Sequence, residues 1–211
     1  MKRYDALLRT PYAVRMSHWL MVICFFFVSM SGLSWFFPSL NGLNSLLGGP
    51  QLARILHPFM GVAIFLLLTF MFIRLVRYNL PEAGDGKWFA NLGKVLRGEH
   101  SDALDTGKYN AGQKLLFWGI MGLISLLLIS GVLIWRPYFA PLFSIPTIRI
   151  GLFVHALAGV LLMLLIIGHI YLAFWVKGSV DSMSSGYVSR KWARTHHPRW
   201  FRQVAGKKDA P

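Results

Sequence analysis

The stretch Ile150–Val176, IGLFVHALAGVLLMLLIIGHIYLAFWV, runs 27 residues without a charged side chain and holds two histidines, His155 and His169. Fourteen positions of α-helix turn through about 1400°, within about 40° of whole turns, and rise about 21 Å. The two imidazoles therefore fall on nearly the same side, one near each end of a helix long enough to cross a bilayer. Histidine in the apolar layer is costly and marks a functional site by default. Two on one face at different depths point to two stacked metal or cofactor sites inside a helix bundle. Two more histidines, His18 and His57, stand on other apolar segments, where partners are needed.

Composition supports a membrane protein. Of 211 residues, 55% are hydrophobic and 14% charged, too apolar for an ordinary soluble domain of this size. The net charge of +14 raises nucleic acid as a partner, but the basic residues flank apolar spans. They read instead as a topology signal and as attraction to anionic membrane lipid. The one cysteine, Cys24, lies in an apolar run and reads as a small buried apolar residue. A single thiol builds neither a disulfide framework nor an iron–sulfur cluster, so a cofactor held here relies on His, Met or oxygen.

Four segments are long enough to span: residues 18–37, 53–75, 113–135 and 150–176. The first has no small-residue cleavage site and reads as a retained helix. Between the second and third lies a polar connection in which Trp88–Arg97 (WFANLGKVLR) has apolar residues at helical spacing, as for a helix along the membrane surface. After Lys177 the chain is polar and basic, and no internal repeat is evident. Lys and Arg crowd the N-terminal segment, the middle connection (Arg74 to Lys114) and the C-terminal segment, whereas the other two loops hold only Arg54, Arg136 and Arg149. The positive-inside rule then puts both termini and the middle connection in the cytoplasm.

Orientation fixes depth. His18 and His169 form an inner pair, and His57 and His155 an outer pair. A lone membrane histidine is ordinarily a helix–helix hydrogen bond or part of a proton relay; the sorting of four into two level pairs is what favours a cofactor. Two neutral imidazoles facing each other across a bundle core are the usual way to hold a six-coordinate b-type haem, which transfers electrons and binds no oxygen. The fold expected is an all-α integral membrane four-helix bundle, one domain over residues 1–211, with two b-type haems in its core. Gly32 and Gly61 suit close approach of a flat macrocycle or, equally, close helix packing. Arg54, one turn before His57, suits a haem propionate or an interfacial anchor. His100, His196 and His197 lie in polar, basic surroundings and read as solvent-exposed or at a partner interface.

Several stretches resemble one family in order and over nearly the whole chain: Ala53–Phe59 (ARILHPF), Gly107–Lys114 (GKYNAGQK), Ser130–Ala140 (SGVLIWRPYFA), His169–Tyr171 (HIY), Trp175–Ser179 (WVKGS) and His196–Trp200 (HHPRW). They look like the γ subunits of membrane-bound formate dehydrogenases, the di-haem cytochromes b that anchor those complexes in the bacterial inner membrane. The resemblance implies a periplasm-facing α subunit, with molybdenum or tungsten, that oxidises formate, and an iron–sulfur β subunit that relays the electrons. It implies ligation of the outer haem iron by His57 and His155 and of the inner by His18 and His169. Menaquinone or ubiquinone is reduced at the cytoplasmic side, in a pocket that maps to Asn110, Gly112, Gln113 and His169. A trimer of heterotrimers is implied as well. In this reading the chain does not itself oxidise formate.

The residue chemistry fits that mapping. Asn110 and Gln113 offer polar groups for the quinone oxygens at the edge of the third span, and Gly112 lets a planar headgroup near the backbone. The same Tyr109-Asn110-Ala111-Gly112 also reads as a helix start with Asn110 as N-cap, and both roles can hold together. Lys108 and Asp105 read as solvated surface charges, with proton relay as the alternative. Three other functions stay open: the cytochrome b anchor of an uptake hydrogenase or related oxidoreductase, a stand-alone quinone-oxidising cytochrome, and a proton transporter using the histidines as a relay.

Overall fold

A computed structural model describes residues 6–97 and 105–206. His100 and the basic residues Lys2, Arg3, Lys207 and Lys208 lie outside the described residues. A short strand β1 (Ala6–Leu8) leads into helix α1 (Tyr12–Phe36), which stops before Pro38. A 3-10 stretch, Pro38–Leu47, ends on Gly48 and Gly49 at φ +77° and +107°, a conformation open to glycine. Helix α2 (Pro50–Leu75) opens on a proline, whose fixed φ suits a first turn. Pro58, inside α2, has no N–H to give, so the carbonyl of Arg54 loses its helical donor beside His57.

Short helices α3 (Gly84–Ala90) and α4 (Leu92–Leu96) follow, then the long α5 (Ala111–Ile134) and α6 (Ile145–Trp175). The chain continues through α7 (Asp181–Ser184), β2 (Tyr187–Ser189), α8 (Arg190–His196) and α9 (Pro198–Ala205). Helices α1, α2, α5 and α6 are long and apolar enough to cross a membrane. Each begins two to six residues before its expected span and ends within one residue of it. Hydropathy marks the apolar layer, whereas the helix begins at its cap or proline. The stretch Trp88–Arg97 is helical as its spacing predicts, but Asn91 divides it between α3 and α4.

The chain divides into two compact units. The first comprises Met1–Arg15, Arg74–Trp118 and Ile170–Pro211; the second comprises Met16–Ile73 and Gly119–His169. The core of the second is apolar: Ile64, Leu68, Ile124 and Leu162 are buried, with Met21, Phe25, Val28 and Cys24 packed against them. Cys24 is half-buried there, consistent with a packing role. Large apolar side chains such as Leu66, Ile129, Leu164 and Ile167 are more than half exposed, an arrangement suited to lipid rather than water.

The first unit contains structure that hydropathy does not reveal. β1 and β2 pair antiparallel, Leu7 opposite Val188. Around them Leu7, Val188, Ala193 and Trp200 form a second buried cluster. The small sheet is an addition to the all-α expectation, and the polar C-terminal segment folds back on the N-terminal one.

Candidate functional site

All four membrane histidines belong to the second unit, and they meet in two pairs. The rings of His57 (α2) and His155 (α6) have centroids 6.2 Å apart. Those of His18 (α1) and His169 (α6) are 6.4 Å apart. On α6, Leu162 lies seven residues from either histidine, so its apolar cluster occupies the level between the pairs. The rings thus meet as two pairs at separate positions along α6.

The gaps have a diagnostic width. A metal–imidazole bond is about 2.0 Å and a ring centre lies roughly 1.1 Å behind its nitrogen, so two imidazoles on opposite sides of one metal have centres about 6.2 Å apart. Both pairs match that spacing. Among the described residues no three His, Cys, Asp or Glu side chains converge to hold a bare ion. Two axial imidazoles instead suit a metal already held in the plane of a macrocycle. Space beside the rings agrees: a Cβ added at Gly61, one turn beyond His57, would meet no atom within 4 Å. At Gly32 a Cβ would come 3.9 Å from Cε1 of His57, and at Gly131 3.3 Å from Cε1 of His155. The residues present therefore fit a b-type haem in each gap.

The pairs differ in what backs them. Ser31 Oγ lies 2.8 Å from His57 Nδ1, and Ser130 Oγ 3.0 Å from His155 Nδ1. His18 Nδ1 is buried with no hydrogen-bond partner. Neither serine was singled out by the sequence reading. The available signal was a recurring Ser-Gly dipeptide, Ser31-Gly32 and Ser130-Gly131, each on the long helix that precedes a histidine-bearing one. Arg54 is exposed.

The residues mapped for quinone lie in the first unit, apart from His169, which faces His18 in the second. Asn110 and Gln113 form a reciprocal cap at the start of α5. Gln113 N–H donates to Asn110 Oδ1 (2.9 Å), and Asn110 N–H to Gln113 Oε1 (3.1 Å). Each amide oxygen is thereby engaged by a backbone N–H, and in each side chain the NH₂ is the group that can still donate. Gly112 is small for a local reason, since a Cβ there would stand 2.8 Å from Cη2 of Trp88. A cavity of about 170 Å³ lies against this helix start, lined among others by Glu82, Asp85, Asp105, Tyr109, Asn110 and Arg199. Lys114, nearly fully buried, bonds Asp85 at 3.0 Å and approaches Glu82 at 3.3 Å. Arg199 also pairs with Glu82, and Arg202 with Asp105.

Two surface expectations change here. His197 is 1% exposed, not solvated: its Nδ1–H donates to Gly107 O at 2.8 Å, and its ring packs on Trp192. Burial, then the nearby Arg9, hold its pKa well below the ordinary value. Lys108 is half-buried, its Nζ 4.5 Å from the Tyr78 ring centre. Desolvation, with Arg9 and Arg77 close by, lowers its pKa to about 8. Arg9 itself is buried among Tyr109, Trp192 and Trp200, and burial lowers it to about 10. The local signal for all three is aromatic richness around basic residues, which charge counting alone treats as solvated.

Residues 9–186 match the family model described as prokaryotic cytochrome b561. The chain is 50% identical over 204 residues to the nitrate-inducible formate dehydrogenase cytochrome b556(Fdn) subunit of Escherichia coli K12, covering 97% of this chain and 94% of that one. It is 48% identical to the formate dehydrogenase cytochrome b556(fdo) subunit of the same strain, covering 97% and 96%. Against the formate dehydrogenase cytochrome b556 subunit of Haemophilus influenzae it is 43% identical, over 92% of this chain and 81% of the relative.

Proposed function

The chain belongs to the prokaryotic cytochrome b561 family, and from that premise we propose that it is the membrane cytochrome b subunit of a formate dehydrogenase, passing electrons from an iron–sulfur subunit to quinone. It is an integral protein of the bacterial inner membrane, with four apolar helices of spanning length. The observation that carries the electron-transfer reading is the pair of imidazole gaps, 6.2 and 6.4 Å wide, at two levels of one helix bundle. The donor complex is supported by relatives that bear the formate dehydrogenase name and match over nearly their full length.

His57 and His155 would hold one haem, and His18 and His169 the other. A b-type haem in each gap would supply one-electron transfer. The chain's own residues do the rest. Buried Ile64, Leu68, Ile124 and Leu162 keep water out of the layer between the gaps. Asn110 and Gln113, their oxygens already engaged in the helix cap, present amide hydrogens to quinone carbonyl oxygens beside Gly112. Lys108, two residues before Asn110, releases its proton more readily than a solvated lysine. With the cytoplasmic ends placed by the positive-inside rule, electrons cross inward and quinone protons come from the cytoplasm, so the transfer contributes to proton-motive force. An α subunit with molybdenum or tungsten oxidises the formate, and the complex assembles as a trimer of heterotrimers.

Visible spectra of membranes holding the native complex test this, with dithionite giving total haem and hydrogen as the control donor. Formate is expected to reduce most of the b-type haem and hydrogen none. Reduction by hydrogen alone would keep the cytochrome and overturn the formate assignment.

A further inference from the structure

Ser31 and Ser130 stand in the same relation to His57 and His155. Each serine is buried, at 0% and 2% exposure. Each is followed by a glycine whose added Cβ would approach the Cε1 of the same histidine. A serine hydroxyl has one proton to give. Ser130 Oγ lies 2.6 Å from Leu126 O, and two oxygens so close need a proton between them. The carbonyl has none, so the serine proton is committed there. Only lone pairs remain toward His155 Nδ1, which must then carry the hydrogen. Ser31 is placed likewise, donating to Val28 O at 2.9 Å with Phe27 O at 3.1 Å, and its oxygen accepts from His57 Nδ1–H. In both rings the lone pair is left on Nε2.

We propose that Ser31 and Ser130 are positioning residues that fix His57 and His155 as Nε2 ligands and lower the reduction potential at that level relative to the His18–His169 level. This rests on the haem-ligand assignment above. An Nδ1–H that donates a hydrogen bond makes its imidazole a more basic ligand, which favours the more positive, oxidised iron. Two such bonds act on one iron. At the other level His18 Nδ1 is buried without a partner, so that ring lacks the electron push. The difference sets a downhill direction, from the His57–His155 level to the His18–His169 level, by means of two hydroxyl groups.

Potentiometric titration of the intact purified complex, followed by haem absorbance, tests the proposal. In a Ser31→Ala/Ser130→Ala variant the lower-potential haem component should move to higher potential while the other stays, with Ser→Thr at both positions restoring the original value. If alanine costs haem binding, the threonine variant alone decides, and should keep both haem and wild-type potentials. Unchanged potentials in a fully loaded alanine variant, a shift confined to the higher-potential component, or threonine behaving as alanine would overturn it. Failure of the ligand assignment shows separately, as full haem retention in His155→Ala.

Discussion

An added Cβ at Gly61 meets open space, while one at Gly112 meets an indole, and the contrast separates two uses of glycine. If the face beside His57 is a cofactor cradle, Gly61→Leu should leave the chain folded and membrane-inserted yet strip haem from the His57–His155 level. Haem-to-protein ratio in the purified complex reads this, and a full complement would instead assign Gly61 to helix packing. Gly112→Ala should cost about 1–3 kcal/mol by overpacking Trp88, visible as a lowered unfolding midpoint. The histidines were legible in the sequence because an imidazole is conspicuous in an apolar run. Ser31 and Ser130 were not, because serine in a membrane helix ordinarily bonds its own backbone carbonyl. Both do so here, and their second bond to a ring on another helix depends on a helix rotation that spacing does not give.

At the scale of elements, the long helices follow from apolar runs bounded by Pro38, Pro50, Asn110 and Pro146, and their bounds come within a few residues of the reading. The β1–β2 pair was invisible: three residues each, about 180 positions apart on the chain by register Ala6 opposite Ser189, offer no periodicity to count. Gly186 makes that pairing possible. At φ +89°, it takes N–H bonds from Arg9 and Thr10 on its carbonyl, and a Cβ there would lie 2.8 Å from Thr10 O. Gly186→Ala should destabilise the sheet by about 1–3 kcal/mol. Hydrogen exchange at residues 6–8 and 187–189 should quicken while residues 119–134 keep their protection. Unchanged exchange in the strands would remove Gly186 from that role.

For the whole molecule, charge distribution told more than charge total: it led to sorting the four histidines into two pairs, and the rings of those pairs lie 6.2 and 6.4 Å apart. What it missed is that basic residues can be structural. His197, held well below its usual 6.5 by burial and then Arg9, stays neutral in the folded first unit while the unfolded chain binds a proton below pH 6.5. The unfolded state then holds more protons, so stability falls as pH drops below that value. Lys108, lowered from 10.5 to about 8, has the same sign over a second window: stability rises as pH climbs from about 8 toward 10.5. Limited proteolysis of residues 187–205 should therefore accelerate on acidification from pH 7 to 5. His197→Gln, which keeps a donor for Gly107 O, should flatten that dependence; an equally steep profile would place the acid sensitivity elsewhere.

The proposed function rests on two haems held between four histidines of one chain. Its most direct test is the haem b content per chain of the purified complex, for the wild type and for His155→Ala and His169→Ala. The account predicts two haems per chain in the wild type and one in each variant, the remaining component differing between them. A wild-type content of one, or a full content in either variant, would contradict it.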